Sequence, residues 1–148
     1  KHGHERLVDI RGELIKLKRS THPNAGAVLL RVFLEIAIKD YLDRTGRLQG
    51  LIEELKSKNK LPKYGVPSMK QLSAEIIKVA KDQLDRNKAI LVEKALRYDS
   101  AAPFSVNDLH AFVHLPDFPG ENDIRQFWNR TEPLFRLMLE QDPKASKS

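Results

Sequence analysis

The chain has 148 residues and a formal net charge of +6, with 26 basic side chains against 20 acidic ones. That length fits one domain with its own core, expected over residues 1–140, followed by a disordered tail at 141–148. The absence of cysteine excludes disulfides, thiolate metal centres and cysteine nucleophiles, and no apolar run approaches the ~18 residues that would span a membrane.

Helical periodicity dominates from the first residues. Leu7, Ile10, Leu14 and Leu17 recur at spacings of three and four, which is one helix face. The first twenty residues are amphipathic and charged, unlike a secretory leader, so a cytoplasmic protein is expected. A chain that starts at Lys1 reads as a piece of something longer, with other domains as partners. THPN interrupts the first helix: Thr21 or His22 can cap, and Pro23 suits a first helical turn. The run AGAVLLRVFLEIAIKDYLDRTG is apolar around most of its circumference, which predicts the buried centre of a bundle, with Gly46 as its stop.

A short helix is expected near 47–58, with Leu48, Leu51, Ile52 and Leu55 inward. NKLPKYGVP then breaks the chain into a loop. Periodicity resumes from Ser68 to about Asp82 and from about Asp85 to Tyr98, as one bent helix or two. Ser105, with Asp108 three residues on, reads as a capping-box variant that opens a short helix, SVNDLHAFVH. The last helix is expected from about Asn122 to Glu140, with Pro133 inside it as a kink. No segment alternates with period two, so the predicted fold is an all-α, single-domain bundle of five to seven helices.

The charge excess is localised. Residues 1–20 hold six basic and three acidic side chains, residues 46–70 six and two, and residues 100–148 five and seven. Clustered lysines attract phosphate backbones through counterion release, which makes Lys56, Lys58, Lys60, Lys63 and Lys70 candidates for contacting RNA or DNA. The same pattern also describes an ordinary solvated loop. The aromatic residues Phe33, Tyr41, Phe127, Trp128 and Phe135 read as core, and an exposed ring beside basic residues, as base stacking requires, is not expected.

Acid–base chemistry concentrates in SVNDLHAFVH. At ~100° per residue Leu109, Phe112 and Val113 share one side, while Asn107, His110 and His114 fall within about 60° on the other. Such a face serves a partner surface, or a metal-free ribonuclease site with histidines as acid and base. His110 and His114 with Asp117 could also be weighed as zinc ligands, but a fourth ligand is missing; neither a metal nor another cofactor is expected. The ribonuclease reading needs a cation, and the helix has no arginine. Arg31, Glu35 and Lys39 make a charged stripe on the second helix: either an intrahelical ion-pair ladder, or a composite site in which Arg31 and Glu35 meet the histidine face. Phosphate-loop, dinucleotide-binding and serine-hydrolase signatures are absent.

Taken together, PNAGAVLLRVFLEIAIKDYL, the basic linker and NDLHAFVH resemble the HEPN superfamily of small helical domains in prokaryotic toxin–antitoxin and antiviral systems. Ala27, Leu30, Arg31, Leu34 and Glu35 match that family's long-helix pattern with slightly altered spacing. In nuclease members a late helix carries Arg, a polar residue, three to five further residues and His; the corresponding positions are Asn107, Asp108 and His114, so asparagine replaces the arginine. The resemblance therefore implies a non-catalytic module of a larger bacterial protein linked to nucleic-acid processing or phage defence, pairing as a homodimer. Two alternatives stay open: a metal-independent ribonuclease using His114 and His110, and a non-specific nucleic-acid binder acting through the lysine-rich loop.

Overall fold

The second helix of the chain organises everything around it. The computed structural model describes residues 2–16, 23–97 and 121–140. Those residues form six helices and no strand: α1 (His2–Lys16), α2 (Pro23–Arg44), α3 (Arg47–Ser57), α4 (Met69–Gln83), α5 (Arg86–Leu96) and α6 (Glu121–Glu140). The architecture is an all-α bundle.

Along α2, Ala27, Leu30, Phe33, Leu34, Ala37, Ile38, Tyr41 and Leu42 are buried, a broad face repeating at three and four residues. Leu29, Val32 and Ile36 are packed against the same core from its flanks. A helix this apolar needs cover on several sides, and α1, α3, α4 and α6 all pack against it. α5 closes the bundle by bridging α4 and α6. The leucines of α1 act as expected, with Leu7 and Ile10 buried and Leu14 packed against the core; Leu17 lies outside the described residues.

Helix ends follow local chemistry. After α2, Gly46 takes φ +77°, the left-handed conformation that glycine adopts without a side-chain clash. Arg44 fixes the same end to α6: its Nη2 donates to the Met138 carbonyl, one of the last-turn carbonyls a helix leaves unpaired, while Nε donates to Asp40 Oδ2 at 2.8 Å. The stretch 69–96 is two helices. Leu84 and Asp85 are extended, and the Asp85 carboxylate accepts from the Lys88 N–H at 3.0 Å as the cap of α5. Within α6 the helix is continuous through Pro133, and Thr131 turns its buried hydroxyl back to the Phe127 carbonyl at 2.8 Å. The core aromatics meet at this helix: Phe33 lies 4.8 Å from Phe135 between ring centroids, and Trp128 stacks on Phe135 at 5.1 Å.

Candidate nucleic-acid interface

The linker between α3 and α4 is a closed loop. α3 ends in a Schellman motif: Asn59 adopts φ 56°, its N–H donates to the Lys56 carbonyl at 3.0 Å, and the Lys60 N–H reaches the Leu55 carbonyl at 2.8 Å. At the other end Ser68 opens α4 with a capping box: the Gln71 N–H donates to Ser68 Oγ at 3.2 Å, and the Ser68 N–H donates to Gln71 Oε1 at 2.8 Å. Gln71 does one thing more. Its Nε2 donates to the Lys60 carbonyl at 2.9 Å, so one side chain ties the two ends of the loop together. Between them the Gly65 N–H closes a turn onto the Pro62 carbonyl at 2.9 Å, Pro67 is buried, and Leu61 is half-buried against the core.

This clamp has a measurable cost of removal. Gln71→Ala breaks the reciprocal cap and the Lys60 tie together, and a capping contact is worth about 1 kcal/mol. The variant should lose about 1–2 kcal/mol in urea unfolding, with faster amide exchange at Ser68, whose N–H loses its acceptor. Unchanged exchange at Ser68 would show that Gln71 does not hold this end of the loop.

On this frame Lys56, Lys58, Lys60, Lys63 and Lys70 are all exposed. From residue 55 to residue 74 there is no carboxylate. The bordering acid, Glu54, receives Lys58 Nζ at 2.6 Å. That hydrogen bond, with the charges of Lys58 and then Lys78, holds the Glu54 carboxyl below its ordinary range. The pairing is therefore complete above the usual carboxylate pKa and is lost only as pH falls through the lowered one. At neutral pH Lys58 is partly neutralised, whereas the other four lysines make no salt bridge with a described residue.

One member of the site was missed by sequence reasoning. Tyr64 sits between Lys63 and Gly65 with 74% of its surface exposed. This corrects the expectation that no exposed ring stands beside basic residues. The available signal was a tyrosine at a turn bracketed by Pro62 and Pro67, with Lys60 and Lys63 before it and Gly65 after it.

The other candidates fall differently. Asn107, His110 and His114, with Asp117, lie outside the described residues. On α2, Glu35 receives Lys39 Nζ at 2.9 Å and Arg31 Nη1 at 3.5 Å, so the stripe is an intrahelical ladder. Arg31 is the least exposed member, its side chain half-buried at 13% exposure, and its Nε is sealed from solvent without a hydrogen-bond acceptor. A groove of about 400 Å³ between α1 and α6 is lined chiefly by apolar side chains such as Leu7, Trp128 and Leu139; its one carboxylate, Glu132, is taken by Arg136 at 3.0 Å. Among the described residues, no three His, Asp or Glu side chains gather as a metal site, and no helix is long and apolar enough to cross a membrane. No protein-family model, curated protein or solved structure matches the chain.

Proposed function

We propose that the chain is a non-catalytic helical module that binds nucleic acid without sequence preference through the α3–α4 loop. The observation that carries this reading is the set of five exposed lysines, from Lys56 in the last turn of α3 to Lys70 in the first turn of α4, around a loop tied at both ends and free of carboxylates. Such a surface gains affinity by releasing counterions from a phosphate backbone, and it has no fixed donor–acceptor pattern with which to read base edges. Attachment to other domains, two-fold pairing and a cytoplasmic setting in nucleic-acid processing or phage defence belong to the same proposal. They are supported by the HEPN resemblance alone.

A salt titration tests the binding. If five phosphates of a single strand are neutralised, log K falls against log salt with a slope of about −3.5, or about 100-fold between 50 and 200 mM. Fluorescence anisotropy of a labelled oligoribonucleotide reads this directly, and a flat response ends the proposal.

A second reading is favoured by one observation, the buried and unpartnered Nε of the half-buried Arg31. A half-buried guanidinium with an unused donor suits a composite ribonuclease site in which Arg31 stands in for the missing motif arginine and His114 moves the proton. The same oligoribonucleotide, held with the protein in chelator, separates the two. Intact RNA supports the non-catalytic module, and cleavage that vanishes in both Arg31→Met and His114→Ala supports the composite site.

A further inference from the structure

We infer that the α3–α4 loop selects single-stranded over double-stranded nucleic acid, with the Tyr64 ring stacking on an unpaired base while the neighbouring lysines hold phosphates; this rests on the nucleic-acid reading above. The six described aromatic side chains divide sharply. Phe33, Tyr41, Phe127 and Phe135 are buried and Trp128 is packed against the core, whereas Tyr64 is 74% exposed. No packing role explains a ring in that position.

Its surroundings supply what a stacking platform requires. Lys60 and Lys63 precede the ring, Lys70 follows it, and all three are exposed. Single-strand binders combine a positive surface that follows the backbone with a ring on which a base can lie, and the stacking tolerates any base because every base has a π-face. A tyrosine has two side-chain torsions to fix, and this one stands on a loop held by the Asn59 helix end, the Pro62–Gly65 turn and the Gln71 tie. Little order remains to be imposed on binding. In a duplex the base faces are already covered by their neighbours, so a single ring on a short loop has nothing to stack on; unpaired bases can be splayed out to meet it. The apolar surface at the apex is one ring and Val66, 40% exposed, too little for the apolar face that membrane-surface binding uses.

The test compares an unstructured, labelled oligonucleotide of about 20 residues, as RNA and as DNA, with a duplex of the same length, at about 50 mM salt where the electrostatic term is strong. For the full chain, single strands should bind about tenfold more tightly than the duplex, and Tyr64→Ala should remove about that factor from single-strand affinity. Duplex affinity and the salt slope should not move, and Tyr64→Phe should restore the preference, because the π-face and not the hydroxyl does the stacking. Equal losses on single strand and duplex, or no loss on either, would overturn the inference while leaving the lysine reading in place. Binding to neither probe would remove both. Vesicles of phosphatidylserine and phosphatidylcholine provide the remaining arm: Tyr64-dependent binding to them without oligonucleotide binding would assign the loop to a lipid surface and overturn the inference.

Discussion

Phe33→Ala is expected to cost about 3–5 kcal/mol of unfolding free energy, the range for deleting a fully buried aromatic ring from a packed core. Phe33 has no exposed surface and stands mid-way along α2, where α6 crosses it. Its ring contacts Phe135 at 4.8 Å and Trp128 at 6.2 Å, both on α6. Each such aromatic pair adds about 0.5–1.5 kcal/mol beyond the area it buries. Three rings on two helices cannot close over the space left by the first without moving a helix, so the cavity persists and the loss sits near the top of the range. Because small domains are stable by only about 5–15 kcal/mol, this one change should bring the protein close to unfolding at moderate temperature. Urea denaturation checks it: the midpoint should fall with little change in slope. Phe33→Leu, which keeps most of the volume, should lose less than half as much. A loss below about 1 kcal/mol for Phe33→Ala would mean that α6 is not seated on α2 through these rings.

The second large effect concerns binding. Replacing Lys56, Lys58, Lys60, Lys63 and Lys70 together by alanine lowers the formal net charge from +6 to +1. Affinity for a single strand at about 100 mM salt should then drop by at least about 100-fold, and the salt slope should flatten toward zero. Stability should hardly change. All five side chains are exposed, and only Lys58 has a described ionic partner, Glu54. Surface pairs of that kind contribute little. The thermal midpoint should therefore stay within a few degrees while binding collapses, which separates a binding surface from a folding defect. If the variant binds as well as the wild type, the phosphate contacts lie elsewhere. The basic residues of α1, where Arg6, Arg11 and Lys16 stand, would be next to replace.

These two regions differ in how far the residues announced them. The core was legible because burial imposes a period: the spacing of Leu30, Phe33, Leu34, Ala37 and Ile38 is that of a helix packed on several sides, and the structure buries all five. Gly46 and Ser68 were legible as helix boundaries for the same kind of local reason. The division between α4 and α5 was not. Asp85 is a good cap, but the apolar spacing runs on through Leu84, and only the extended backbone at those two residues separates the helices. Tyr64 was harder to read for a deeper reason. Periodicity reports which side chains face a core, whereas exposure of one ring in a loop depends on nothing lying over it, which leaves no repeating trace. The Arg31 stripe fell between these cases: its spacing to Glu35 and Lys39 showed the ladder, but periodicity does not say that the Arg31 side chain is only 13% exposed while Glu35 and Lys39 stay more open to solvent.

Gln71 gives the loop one last property. A side chain that simultaneously starts a helix and knots together the two ends of the preceding segment leaves no slack between them. Force applied at the tip, by a strand being pulled or threaded past it, would travel into the first turn of α4 and from there to Leu72 and Ile76 in the interior, instead of being absorbed by a hinge. The appendage and the bundle therefore behave mechanically as one piece, more like a cleat cast into a hull than a rope trailing from it.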